Sequence, residues 1–527
     1  MSQVEKRNRI SKSAVALLMI SVIAVFISFW KESVVAYYFG TSQYMDAYNI
    51  SVDTPRNIFD AISAAIASVV IPVYTKELLK NKNAAEYFFR NFTTIFIIPY
   101  IVLIVISEGS AFFIIKALAP GAEIDTFQMA VTMFRMTIPS IGLGVFCKIN
   151  TGILNSHKSF LLPAFMPVFF NVSIGLSVLI FGKEAGVYAA TFGTVVGMVL
   201  GFILTCFLRR KYVSYKPALD FNDKTTVSAL KMAGPVFLGS SATEFNLVVD
   251  RWISSFFETG SLSALHYASR LSSGISHLFI VSITTVVFPE LAESIANNKK
   301  EKAADIYIVS IRIFMITLLP IVVGGVFLGE EIMALVYGRG AFGSNSIAIT
   351  TPIFTCYFIS LLFMGIRQVG TNYLYSCGES KIAMKNTIFG VIMNILLDII
   401  LSRAMGVSGV ALATTISVIV ISILLMRSVK NKNLYVNYLE CLFLLFQVIL
   451  ACGIMFMFIW VLKELSIYKG FYDLKTRKNI LVFVVMEVLV GAFVYFLVLF
   501  FVKVKEMKHL FSLVANKFSL MKNGGFK

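Results

Sequence analysis

Long apolar runs recur from one end of the chain to the other, separated by short polar connections. Ala14–Trp30, Phe92–Ile115, Phe160–Phe181, Val187–Phe207 and Ile480–Val502 are each long enough to cross a bilayer as a helix. The same reading predicts spans at 14–38, 44–75, 92–117, 127–154, 160–182, 186–208, 227–257, 262–292, 304–327, 346–375, 384–402, 407–426, 436–462 and 480–502. The expected fold is an all-α polytopic membrane protein of about fourteen transmembrane helices, because only helices or closed barrels satisfy every backbone group in lipid.

The halves of this pattern are related. Ser68-Val69-Val70-Ile71-Pro72 closes the second predicted span, and Thr285-Val286-Val287-Phe288-Pro289 closes the eighth, 217 residues later. Asn171, Gly186-Val187 and Ala190-Thr191 realign with Asn394, Gly409-Val410 and Ala413-Thr414 at an offset of 223. An even-numbered unit of six spans returns the chain to the same side, so the duplication is parallel, an arrangement that places a transporter's site between two lobes. The expected organisation is an N-lobe over 1–208, a linker over 209–226, a C-lobe over 227–430, and two further spans with a basic tail over 431–527.

Charged residues make up only 14% of the 527 and hydrophobic residues 57%, whereas a soluble domain carries roughly 25% charged residues. The net charge of +17 sits mostly in short connections, not on one soluble module, which argues against nucleic acid as a partner. With the N-terminus inside, the basic connections (Lys76 to Arg90, His157/Lys158, Arg209 to Lys211, Lys299 to Lys302, Lys381/Lys385, Arg427 to Lys432) all fall on one side. This is the positive-inside pattern, and it places both termini in the cytoplasm. The segment Lys463–Lys478 runs against it, being basic where an external loop is expected. The six cysteines lie singly, without a metal-binding spacing, and read as reduced packing residues. The first apolar run lacks a small-residue cleavage site and reads as a span rather than a signal peptide. With no nucleophile–base or metal motif and no loop long enough for a catalytic domain, an enzyme is not expected.

Polar residues inside the spans carry the functional signal, because a mid-membrane charge costs at least about 2.5–3.5 kcal/mol unless it meets a partner or a wet cavity. Asp46, Asn49, Asp53, Arg56 and Asp60 form one stripe of the second span. Arg56 can pair with Asp53 and Asp60, so the stripe serves either as helix-to-helix glue or as a cavity wall. The eighth span presents His266, Arg270, Ser273 and His277 on one face; Lys31 and Glu32 end the first span, and Glu244, Asp250 and Arg251 lie in the seventh. Lys31, Arg56, Arg270 and Arg251 suit an anionic ligand, and arginine suits phosphate through its planar fork of donors. Arg270 reads as a ligand contact or as half of an internal salt bridge. A second group, Asn394 and Asp398 with Asp250, Thr414 and the Val410 carbonyl, offers oxygen ligands to a hard monovalent cation or a proton. An ion pair or interhelical hydrogen bonds for Asp398 is the equal alternative.

Ala119-Pro120-Gly121, Gly152-Ile153-Leu154-Asn155-Ser156 with Pro163-Ala164-Phe165, Pro167 and Asn171, Tyr267-Ala268-Ser269-Arg270-Leu271, and Arg339-Gly340-Ala341-Phe342 occur in that order. Together they resemble the MurJ/MviN lipid II flippases of the multidrug/oligosaccharidyl-lipid/polysaccharide exporter superfamily, over about residues 10 to 505. The resemblance implies fourteen spans in two six-span lobes, a cationic central cavity, and a groove of spans thirteen and fourteen for a polyprenyl tail. It also implies that Lys31, Glu32, Asp46 and Arg270 occupy cavity positions of the family. Asp250, Asn394, Asp398, Val410 and Thr414 match a sodium site known in some members. Two family arginines are replaced, by Val25 in the first span and Phe59 in the second, with Arg56 one turn from the latter.

The expected function is therefore a flippase of the bacterial inner membrane that moves lipid II, or a related undecaprenyl-diphosphate glycan, from the inner to the outer leaflet by alternating access. Lys31, Glu32, Asp46, Asp53, Arg56 and Arg270 would bind substrate, with coupling to a cation (sodium or a proton) or to the membrane potential. A bound sodium ion is the one non-protein group implied, and membrane lipids are the other partners. A cation-coupled multidrug exporter and a non-transporting membrane scaffold are the rivals; the former would want an acidic, aromatic cavity.

Overall fold

The computed structural model describes residues 3–433, 435–468 and 477–504. Of the connection whose charge ran against the positive-inside pattern, residues 469–476 lie outside the described residues, as does the basic tail beyond 504. Among the described residues the chain is helical, with no strand. Its long helices are α1 (Gln3–Phe39), α2 (Gln43–Lys80), α3 (Lys82–Gly109), α4 (Ile124–Ser156), α5 (Leu161–Phe181), α6 (Tyr188–Arg209) and α7 (Lys224–Ser254). They continue as α8 (Ser261–Ala296), α9 (Lys300–Phe327), α10 (Ser344–Ser376), α11 (Ser380–Met405), α12 (Val407–Lys432), α13 (Leu439–Tyr468) and α14 (Arg477–Phe501).

Among the described residues, 13 helical segments are long and apolar enough to cross a membrane, and each coincides with a predicted span. The span expected at 227–257 is α7, a 31-residue helix. It is more polar than its neighbours, with Lys224, Lys231, Glu244, Asp250 and Arg251 along its length and a run of Gly, Ser and Thr at its middle. The duplication extends to irregular features. A short helix, Ala111–Leu118, follows α3, and another, Gly329–Val336, follows α9. The turn at Gly142 interrupts α4, as the turn at Ser360 interrupts α10.

Contacts sort the chain into two compact units. The first comprises Met1–Gly274, Tyr337–Thr350 and Val391–Ala413; the second comprises Ile275–Val336, Thr351–Gly390 and Thr414–Lys527. The first unit has an aromatic core in which Tyr74, Phe88, Phe89 and Phe92 are each at most 2% exposed. Its α6 carries Gly193, Gly197 and Gly201 at four-residue spacing, the small-residue face that lets membrane helices approach closely. A Cβ at Gly193 would stand 2.7 Å from the Ile174 Cα and 2.8 Å from the Ser177 Cβ of α5, so backbone meets backbone there. In the second unit, Leu444, Val448, Cys452, Met455 and Ile459 form one stripe of α13 that packs with Tyr495 and Leu499 of α14. The Tyr495 hydroxyl donates to the Ile316 carbonyl of α9 at 2.8 Å. Opposite faces of the same helices expose Leu442, Phe443, Phe446, Leu489 and Phe493, as expected where the solvent is lipid.

Because the α5–α6 contact leaves no room for a side chain, Gly193→Leu should cost about 1–3 kcal/mol through overpacking. Gly109→Ala, where a Cβ meets nothing within 4 Å, serves as the control. Thermal unfolding in detergent checks this: the Gly193 variant alone should melt lower.

Candidate functional site

The site is built on α1, α2 and the start of α8, all within the first unit. Midway along its polar stripe, α2 widens into a π-helical turn over Asn49–Asp53. Pro55 accounts for it: proline has no N–H to give to the Ser51 carbonyl, and its ring crowds that oxygen. The hydroxyl of Thr54 turns back to the Asn49 carbonyl at 2.8 Å, and Arg251 of α7 donates to that hydroxyl at 2.6 Å.

Glu32 and Asp53 organise what surrounds them, both at most 1% exposed. Glu32 accepts from Lys31 at 2.5 Å, and Asp53 pairs with Arg56 at 2.8 Å. His266 stands between the two carboxylates, Nε2 at 3.3 Å from Glu32 and Nδ1 at 3.2 Å from Asp53. A neutral ring can donate to one of them and a protonated ring to both. Arg270 completes the cluster, its Nε 3.7 Å from Glu32 and a terminal nitrogen 3.7 Å from Asp53. Its side chain is 36% exposed, whereas those of Lys31 and Arg56 are at most 9% exposed. Arg270 is thus ion-paired on one side, as one of its sequence readings had it, and open on the other.

It opens into a cavity of about 330 Å³. Four cations line it, Lys31, Arg56, Lys148 and Arg270, against two carboxylates, Glu32 and Asp60. Met166, Phe170 and Met198 supply an apolar wall, and Arg56 lies over the Phe170 ring at 5.1 Å. Lys148 of α4 was not foreseen in the sequence. It is exposed to the cavity and, among the described residues, forms no ion pair within 4 Å. Its signal was available, as a lysine within the predicted span 127–154, but no other charge stands at helical spacing from it to draw attention to it.

The remaining stripe residues part company. Asp60 faces the cavity and does not pair with Arg56, contrary to one sequence expectation. Asp46 lies apart from the cavity: its two carboxylate oxygens accept the backbone N–H groups of Gly260 at 2.6 Å and Ser263 at 2.7 Å. It therefore caps the first turn of α8, whose N–H groups have no partner within the helix. His266 appeared in the sequence only as a member of the α8 stripe. Shifted by 217, the α2 stripe lands on Ser263, His266, Arg270, Ser273 and His277, so the two stripes are equivalent positions of the duplicated unit.

The oxygen-rich group is buried. Asp250 is 1% exposed, Asn394 2%, Asp398 0% and Val410 0%. Asn394 donates to Asp398 at 3.4 Å, and Asn246, one turn before Asp250, donates to Asp250 at 3.5 Å. The carboxyls of Asp250 and Asp398 lie within hydrogen-bonding reach of each other. Asn246 Oδ1, Asn394 Oδ1 and Asp398 Oδ2 are buried acceptors with no donor among the described residues. Thr414, one turn beyond Val410 on α12, is half-buried and belongs to the second unit. Among the described residues no group of three or more histidine, cysteine, aspartate or glutamate side chains is set to hold a metal ion. The donor set is thus one of carboxylates and amide oxygens.

A bundle of membrane-crossing helices with a charged internal cavity is the form of a polytopic membrane transporter. The same fold occurs in an inward-facing multidrug resistance MATE family transporter of the MOP superfamily, at a TM-score of 0.67 and 14% identity, over 80% of this chain and 98% of that one. At the family level, residues 35–478 match the profile described as lipid II flippase MurJ, and the chain belongs to that family. Lys31 and Glu32 lie just ahead of the matched stretch. A probable lipid II flippase MurJ of Rickettsia prowazekii is 27% identical over 460 residues, 86% of this chain and 90% of that protein. One of Thermotoga maritima is 27% identical over 486 residues, covering 91% and 94%. A solved lipid II flippase MurJ in an inward closed conformation matches with a TM-score of 0.79 and 26% identity, over 92% of this chain and 98% of that one. The protein is accordingly a transporter and not a catalytic enzyme.

Asp53→Ala would strand Arg56 in a buried setting without its counter-charge, and such losses cost about 3–5 kcal/mol. Asp60→Ala, at the cavity wall, should stay within about 0.5 kcal/mol of the parent. Melting temperatures of the two purified variants test the difference; an Asp53 variant as heat-resistant as the parent would show that the network does not hold these helices.

Proposed function

We propose that the protein carries lipid II across the bacterial inner membrane, from the cytoplasmic leaflet to the outer one, by alternating access of its two six-span lobes, 1–208 and 227–430. Both termini and the basic connections then face the cytoplasm. The observation that supports this most directly is the charge of the cavity, four cations against two carboxylates, in a chain of the lipid II flippase MurJ family. A diphosphate brings negative charge, and each element of the site has a part in receiving it. Lys31 and Arg56 are already neutralised by Glu32 and Asp53, so they hold the cavity's shape and a background field. Arg270, half open, and Lys148, without an ion-pair partner among the described residues, are the groups that would meet phosphate oxygens, the arginine through its fork of donors and the lysine as a point charge. Asp46 and Asp53 act through others, Asp46 by fixing the start of α8 that carries Arg270. No bond is made or broken; the site works by favouring one lobe arrangement when filled.

Coupling to a monovalent cation belongs to the same reading. Asp250, Asn394, Asp398, Val410 and Thr414 would hold a sodium ion, whose charge would offset two carboxylates that stand within reach of each other. The donorless oxygens of Asn394, Asp398 and Asn246 fit that chemistry, since buried acceptors without donors are costly unless a cation or proton meets them.

Proteoliposomes loaded with fluorescent lipid II test transport. The parent should move the lipid faster than empty vesicles, Arg270→Ala and Lys148→Ala should each slow it at least tenfold, and complementation of a MurJ-depleted bacterium should follow the same order. Transport no faster than in empty vesicles, or two silent variants, would overturn the assignment; preference for another polyprenyl-diphosphate glycan would move it to that substrate. For the ion, sodium in place of choline should raise the melting temperature of the parent through binding to the folded state. Asp398→Asn should abolish the rise, and an equal rise in both would refute the site.

A further inference from the structure

A second cavity, of about 240 Å³, lies between α3, α4 and α6 and shares no lining residue with the first. It is a slot with a direction. Phe89, Thr93, Ile97 and Ile101 line it from one face of α3, a rise of about 18 Å. At one end the Arg209 guanidinium lies over the Phe89 ring at 4.6 Å, beside Tyr215. Asn150 and Cys206 come next, 3.4 Å apart. Beyond them the wall is aromatic and aliphatic: the Phe146 ring lies 6.3 Å from Phe202 and 5.3 Å from Tyr100, and Ile101, 53% exposed, opens the far end to lipid.

The polar end is incompletely satisfied. Arg209 is 5% exposed, and one terminal nitrogen donates to the Val213 carbonyl at 3.4 Å. Its Nε and the Thr93 hydroxyl are buried without a hydrogen-bond partner among the described residues. No carboxylate among those residues comes within 4 Å of the guanidinium, and Arg210 and Lys211 add to the positive charge at this end. A buried guanidinium with an idle donor calls for an anionic oxygen. The apolar remainder, which runs about 12 Å along α3 from Thr93 to Ile101, calls for a hydrocarbon chain.

We propose that the slot is a binding site for an anionic phospholipid of the leaflet next to the basic connections. The lipid phosphate meets Arg209 and Thr93, and one acyl chain lies along α3 toward Ile101. Charge complementarity selects the headgroup: a buried guanidinium with an idle donor stands at one end and apolar side chains line the rest, which matches an anionic phospholipid. The assignment rests on the membrane fold alone and is independent of which lipid the protein transports.

The experiment uses the full-length protein in phosphatidylcholine vesicles containing phosphatidylglycerol with a photoreactive group in its acyl chain. After irradiation and digestion, label should map to peptides of α3 and α6 that line the slot. Unlabelled phosphatidylglycerol should compete and phosphatidylcholine should not. Arg209→Gln should cut labelling about fivefold, the worth of one basic residue at an anionic membrane surface. Ile97→Trp, which fills the slot and leaves Arg209 in place, should cut it as well and decides the matter should the Arg209 variant fail to fold. Equal labelling by a zwitterionic probe, label confined to other helices, or displacement by a polyprenyl-diphosphate glycan in preference to phosphatidylglycerol would each overturn the proposal.

Discussion

Glu32 and Asp53 are carboxylates held almost wholly out of water, and between them they engage Lys31, Arg56, His266 and Arg270. Burying an ion costs several kcal/mol even after the protein relaxes, and the cost is recovered only where opposite charges and hydrogen bonds stand in good geometry. These groups come from three helices, so their pairing fixes the register and rotation of α1, α2 and the first turns of α8 together. The π-helical turn ahead of Pro55 is part of the same constraint, since it sets the phase at which Asp53 and Arg56 leave the helix. Arg251 braces that turn from α7, and Asp46 joins the end of α8 to α2 through two backbone N–H groups.

Neutralisation of the buried cations leaves the cavity's working charge to the groups that are not fully paired. Arg270 is shared between two carboxylates at longer range and half open, and Lys148 has no ion-pair partner among the described residues. The arrangement separates two duties. Paired charges hold the walls, and open charges face the cavity, where water keeps their desolvation cost low.

Duplication supplied the raw material for this arrangement, and divergence made it complementary. Equivalent stripes on α2 and α8 hold mainly carboxylates in one case and mainly nitrogen donors in the other. Asp46 therefore meets the backbone of Ser263, its own counterpart, and Asp53 meets both His266 and Arg270, the counterparts of Asn49 and of itself. Elsewhere, two groups of buried polar atoms stand without partners among the described residues: the oxygens of Asn246, Asn394 and Asp398 on α7 and α11, and the Arg209 Nε with the Thr93 hydroxyl beside the second cavity.

By itself the sequence determined the class of fold, the approximate limits of the spans, the repeated pattern of the two halves, and most of the charges that line the cavity. Hydrocarbon as solvent makes those features readable: it demands about twenty apolar residues per span and makes each intramembrane charge conspicuous. Periodicity put Asp53 and Arg56 on one face of α2 and His266 and Arg270 on one face of α8, because i, i+3 and i+4 neighbours are set by the helix alone. Which face meets which was decided only by tertiary structure. The sequence offered Asp60 to Arg56 and put Asp46 among the cavity residues, whereas packing turned Asp46 to the end of α8 and left Asp60 to the cavity. Lys148, Arg209 and Thr93 received no site reading for the same reason, since the surroundings of each come from helices distant in sequence, and the rotation of one helix against another depends on side-chain packing that no local pattern records.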